Sequence, residues 1–207
     1  MIIIVVNNTG NKHLAKNTKQ LVSILRQSKQ YRVKVVTKQS ELDIIPRKHI
    51  LGFILSGGPI LFTEKNCIQD YIINMNILQQ YSDVPVLGIC LGFQMISLLY
   101  NGTIRRLKNP KLKIMDSIYP IRIHKSIFFK RNHKTSSLVY QHHFDYIASI
   151  GKPFIVTSRD KNRRIQTIES KELMRFGIQF HPEMSGLFGY EMIYRFIDFC
   201  YKVYKNK

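Results

Sequence analysis

The first half of the chain alternates short β-branched runs with longer stretches in which apolar side chains recur every three or four positions. Residues 1–6, 31–36, 50–55 and 84–89 read as strands, and residues 14–28, 65–81 and 92–100 as helices. Nearly continuous apolar strands separated by amphipathic segments suit a parallel sheet, whose two faces are both covered by helices. Beyond the Asn101-Gly102 turn the texture changes. Short apolar stretches at 118–123, 126–129, 154–157 and 165–168 follow one another with polar breaks, as antiparallel strands added to the main sheet would. Met192, Ile193, Phe196, Ile197 and Cys200 then fall on one face of a helix over 189–204. The expectation is an α/β fold with a mostly parallel central sheet flanked by helices and extra antiparallel strands in the C-terminal half. No internal repeat, low-complexity segment or linker divides the 207 residues, so one domain spanning 1–207 is expected.

Composition agrees with a globular enzyme or binding domain: 44% of residues are hydrophobic and 22% charged. No apolar run approaches the ~20 residues that span a bilayer, and the start lacks the basic region and cleavage site of a signal peptide. Cys67, Cys90 and Cys200 are too few and too scattered for a disulfide framework or a zinc site. A cytoplasmic protein with neither metal nor cofactor is expected. The excess of 32 Lys and Arg over 13 Asp and Glu, a formal charge of +19, would draw the chain toward nucleic acid or acidic surfaces. The basic residues are spread along the chain, however, and abundant Lys, Asn and Ile fit an AT-rich genome, so a nucleic-acid partner is not the favoured reading.

Three segments carry candidate chemistry. In Gly88-Ile89-Cys90-Leu91-Gly92 a buried strand runs into a helix with the cysteine at the junction. Such a sharp turn has no room for side chains two residues either side of the nucleophile, hence the glycines. The sulfur then sits at a helix N-terminus, where the dipole favours thiolate, and the Leu91 N–H faces the place where an oxyanion would form. In Gly177-Ile178-Gln179-Phe180-His181-Pro182-Glu183 the proline holds His181 extended, so that His181 and Glu183 project to one side as a base and its orienting carboxylate. Ser56-Gly57-Gly58-Pro59 ends a third strand, and the Gly58 N–H is the second oxyanion donor. His13, His49 and His133, lacking such company, are read as structural.

These motifs, SGGP, PVLGICLGFQ and FGIQFHPE in that order, resemble the class I (triad) glutamine amidotransferases, and their spacing covers most of the chain. The resemblance implies L-glutamine as substrate, Cys90 as the acylated nucleophile, and His181 shuttling protons with help from Glu183. It further implies an oxyanion hole at Gly58 and Leu91, and glutamine contacts at Gly57, Gln94, His143 and Asp145. The last two come from aligning His142-His143-Phe144-Asp145 with an S-H-x-D segment; a register shifted by one would take His142 instead. The SGGP form and the Lys65-Asn66-Cys67-Ile68 segment resemble the stand-alone amidotransferase subunit of guanosine monophosphate synthetases. Phe93 and Met184-Ser185-Gly186 depart from that pattern. No synthetase domain and no G-x-x-x-x-G-K loop is present, so the synthetase that accepts ammonia would be a separate chain. Two rivals share these residues: a γ-glutamyl hydrolase-like thiol enzyme needing no partner, and a non-catalytic basic binding protein on the same scaffold.

Overall fold

A computed structural model describes residues 1–9, 14–64, 71–108, 114–120, 126–129 and 136–207. Cys67, His13 and His133, and the segment 65–70, lie outside these residues. Among the described residues the main sheet has nine strands, in the order β2-β1-β3-β4-β11-β10-β9-β6-β7. β1 (Ile2–Val6), β2 (Arg32–Val36), β3 (Ile50–Leu55), β4 (Val86–Ile89) and β11 (Arg175–Ile178) run parallel. β10 (Ile165–Ser170), β9 (Ile155–Asp160), β6 (Ile114–Pro120) and β7 (Ser137–Gln141) extend the sheet antiparallel. A separate pair, β5 (Thr103–Arg106) with β8 (Asp145–Ser149), forms a second small sheet.

The helices are α1 (Lys16–Leu25), α2 (Gln39–Asp43), α3 (Ile72–Gln80), α4 (Leu91–Leu99) and α5 (Gly186–Lys205). Two apolar clusters cover the two faces of the sheet. One gathers Leu21 and Leu25 of α1 with Met192 and Phe196 of α5; the other gathers Ile73 and Ile77 of α3 with Phe93 and Ile96 of α4. This arrangement buries both faces of β1, β3 and β4, as their unbroken apolar sequences require. The α5–sheet contact is so close that a Cβ at Gly52 of β3 would stand 2.6 Å from the Sγ of Cys200.

Two expectations need correction. Residues 126–129 are a bend, not a strand. Their backbone N–H groups are satisfied locally, Ile127 and Phe128 donating to the buried carboxylate of Glu169 at 2.8 and 3.3 Å, and Phe129 to Ser126 Oγ at 3.0 Å. Phe128 and Phe129 are buried nonetheless, which explains why the segment looks apolar without belonging to a ladder. Of the helix read over 65–81, the described part is α3, which begins at Ile72. The strand read over 118–123 starts earlier, at Ile114, and residues 121–123 lie outside the described ones.

Candidate active site

β3, β4 and β11 are neighbours in the parallel part of the sheet, and each ends in one of the three motifs. Their carboxyl ends lie side by side, the usual place for a site in an open α/β sheet.

Cys90 links β4 to α4 with φ 52° and ψ −105°, a conformation that costs energy for any residue with a side chain. Its N–H donates to the Ile178 carbonyl of β11 at 2.8 Å, and its carbonyl accepts the first helical bond, from Gln94 N at 3.0 Å. The flanking glycines leave no alternative: a Cβ on Gly92 would lie 2.3 Å from the Leu55 carbonyl oxygen, and one on Gly88 would lie 2.4 Å from the Gly92 carbonyl carbon. Leu91 is the first residue of α4, so its N–H has no partner within the helix and points beside the sulfur.

The His181 turn is fixed by hydrogen bonds. His181 is extended before Pro182, its N–H donates to Tyr140 O of β7 at 2.9 Å, and a 3-10 turn follows over Pro182–Met184. Ser185 Oγ donates to His181 O at 2.6 Å and accepts from Tyr140 N at 2.9 Å, joining both ends of the turn to the sheet edge. Nδ1 of His181 lies 2.8 Å from Glu183 Oε1. Burial by itself lowers the imidazole pKa; the negative charge of Glu183 and the hydrogen bonds with Cys90 and Glu183 outweigh it and raise the value from 6.5 to about 10. Cys90, His181 and Glu183 are all buried, and Gly57 is wedged between the first two: a Cβ there would stand 2.9 Å from His181 Cε1 and 3.5 Å from Cys90 Cβ. The ring and the sulfur therefore meet over a residue that must be glycine.

Two cavities meet at the sulfur. The smaller, about 70 Å³, is lined by Gly58, Leu61, Leu91, Gln94, His143 and Asp145 as well as Cys90. The larger, about 620 Å³, opens on the other side among Thr9, Asn17, Tyr140, His181 and Met184. His142 borders both, and its carbonyl oxygen is 3.9 Å from Cys90 Sγ.

The sequence-predicted contacts are thus brought together, with their polar groups already engaged. Gln94 Nε2 donates to the Asp145 carbonyl at 3.0 Å. The Asp145 carboxylate accepts from Thr63 N at 3.1 Å and Thr63 Oγ1 at 2.7 Å, which ties the loop after β3 to the one before β8. His143 is held neutral: burial, foremost, lowers its pKa to about 4. Its Nδ1–H donates to Asp145 O at 2.8 Å, and its bare Nε2 faces the Gln141 amide at 2.6 Å. Sequence reading missed Asn8, Thr63, Tyr140, Ser185 and Asn17. Asn8 buttresses the loop after β3, its Nδ2 donating to Ser56 O at 2.8 Å. Among the described residues no cluster of three or more His, Cys, Asp or Glu could hold a metal ion, and no helix is long and apolar enough to cross a membrane.

A cysteine on a strained strand-to-helix turn, facing a buried imidazole–carboxylate pair and two convergent backbone loops, is suited to acyl transfer through sulfur. The chain belongs to the class-I glutamine amidotransferase family, whose model matches residues 13–199, and it is a glutamine amidotransferase. Within that family it is similar to one chain of the two-part, glutamine-hydrolysing GMP synthase of Methanococcus vannielii, 30% identical over 206 residues that cover 96% of this chain and 95% of that one. The corresponding chain of Pyrococcus abyssi is 26% identical over 96% of this chain and 98% of its own length. Two solved structures share the fold. A Thermoplasma acidophilum protein superposes with TM-score 0.76 at 23% identity over 100% of this chain and 98% of that one. A glutamine amidotransferase from Thermotoga maritima does so with TM-score 0.71 at 18% identity over 98% and 84%.

Proposed function

We propose that Cys90, His181 and Glu183 hydrolyse L-glutamine to glutamate and ammonia, and that the ammonia passes to a synthetase on a separate chain, the pair making GMP. The observation that carries the chemistry is the meeting of Cys90 and His181 across Gly57, with Glu183 behind the ring. Cys90 Sγ attacks the γ-carboxamide carbon, and the oxygen takes the charge opposite the Leu91 and Gly58 N–H groups. His181 then gives a proton to the departing nitrogen, which leaves as ammonia, and the glutamyl group stays on sulfur as a thioester. Water, deprotonated by His181, attacks that thioester; the C–S bond breaks and glutamate is released. Glu183 keeps the proton of Nδ1 in place throughout, so that Nε2 serves the sulfur. Gly57, Gln94, His143 and Asp145 shape the substrate side: neutral His143 and Gln94 both hold the Asp145 carbonyl, and Asp145 in turn holds Thr63.

The acceptor is inferred from the relatives. The chain matches the glutamine-hydrolysing chains of GMP synthases over nearly their full length, which supports a two-chain enzyme whose other chain activates the purine nucleotide. A chloroketone analogue of glutamine tests the site: it should alkylate Cys90 and spare Cys200, with free glutamine slowing the reaction and Cys90→Ser abolishing both alkylation and ammonia release. Modification spread over the cysteines, unprotected by glutamine, is the result that rejects the proposal.

A further inference from the structure

The imidazole of His181 has a third polar neighbour. The amide of Asn17, from the first turn of α1, places its end atom, drawn as Nδ2, 3.1 Å from His181 Nδ1, the same nitrogen that Glu183 Oε1 approaches to 2.8 Å. The two residues are 164 positions apart, and α1 packs directly on the turn that carries His181. One Glu183 oxygen restrains the ring; the other, Oε2, is buried and has no hydrogen-bond partner among the described residues. A ring held at one atom by one acceptor can still swing about its Cβ–Cγ bond, and a swing of a few tenths of an ångström at Nε2 is what misaligns a proton transfer.

We propose that Asn17 is a positioning residue for His181: its amide presents Oδ1 to Nδ1–H and, with Glu183, brackets that hydrogen so that the ring plane points Nε2 at Cys90. The orientation follows from chemistry. Nδ1 cannot both donate to a carboxylate and accept from an amide N–H, and the adjacent Glu183 makes it the donor; the end of the amide facing it is then the oxygen. The raised imidazole pKa agrees with a proton held on Nδ1. The other described groups around the ring are the Cys90 thiol, the Tyr140 ring at 6.1 Å and, farther away, His143, none of which offers Nδ1 a second acceptor. On the far side Gly57 closes the space against Cε1, so the Asn17 side is the one open to motion. Asn17 also lines the larger cavity, so α1 reaches both that opening and the base.

The proposal rests on His181 acting as the base, and the test separates the two. The readouts are the pH-rate profile of Cys90 alkylation by the glutamine chloroketone, which needs no synthetase, and kcat and KM for glutamine hydrolysis. Asn17→Leu, of similar size and without polar atoms, should lower the alkylation rate and kcat about tenfold, the loss of one hydrogen bond to a charged donor. KM should stay within about twofold, because the amide does not touch glutamine. The alkaline limb of the profile, where His181 loses its proton, should move to lower pH. Asn17→Asp, which keeps an acceptor at the same place, should restore most of the rate and move that limb up again. Asn17→Ser, too short to reach Nδ1, should behave like the leucine variant and stands in for it if leucine prevents folding. A leucine or serine variant with unchanged rate and unchanged alkaline limb overturns the proposal, as does an aspartate variant as damaged as leucine, which would show the amide to be needed as a donor. Glu183→Gln measured alongside gives the control: if it too leaves the profile unmoved, His181 is not the base, whereas a strong loss there with neutral Asn17 variants removes Asn17 alone.

Discussion

The turns that bring Cys90 and His181 together are built on opposite principles. The cysteine turn is held by what is missing: Gly88 and Gly92 let the helix and two strands approach so closely that no Cβ fits, and the strained φ of Cys90 is the only way through. The histidine turn is held by what is added, namely the Ser185 hydroxyl, the Tyr140 backbone and the Glu183 carboxylate, each making bonds of ordinary length. Steric exclusion permits one conformation or none. A hydrogen-bonded turn loses its members one at a time and degrades by steps.

That contrast sets the order of expected damage. Gly92→Ala should be the most severe, since its methyl must displace the Leu55 carbonyl; a loss of roughly 3 kcal/mol or more in stability, with glutaminase activity gone in whatever still folds, is expected from overpacking against backbone. Chemical denaturation and an ammonia assay read both. Glu183→Gln comes next. The neutral amide no longer fixes the ring proton, and kcat should fall about a thousandfold while the unfolding midpoint stays close to that of the parent. Ser185→Ala is the mildest, with one donor and one acceptor lost at the edge of the turn, roughly 1 kcal/mol in stability and a few-fold in kcat. If Gly92→Ala were as mild as Ser185→Ala, or Ser185→Ala as destructive as Gly92→Ala, the two turns would not differ in kind.

The same contrast explains what could be read from the sequence. The Gly88-x-Cys90-x-Gly92 spacing is legible because steric demands act between near neighbours, and Pro182 marks the histidine turn for the same reason. The parallel strands are equally visible, since burial on both faces makes their sequences apolar without interruption. What escapes are links between residues far apart. Asp145 meets Thr63 across 82 positions and Asn17 meets His181 across 164, and polar contacts at such separations leave no period. β5 and β8 escape because their outer faces are polar, and residues 126–129 mislead because two buried phenylalanines in a bend carry the same apolar signature as a strand.

The contact between Cys200 and the glycine-thin middle of β3 gives the molecule an internal clock. Cys200 is fully buried under α5, and burial pushes its thiol well above the usual range, so in the folded state it has neither access nor ionisation. An electrophile can reach it only when α5 lifts from the sheet, an opening close to global unfolding. Followed peptide by peptide in one mass-spectrometric time course, modification at residue 90 times the assembled site while modification at residue 200 times the opening of the core. Variants of either turn can therefore be sorted, in a single tube, into those that misplace the chemistry and those that loosen the fold.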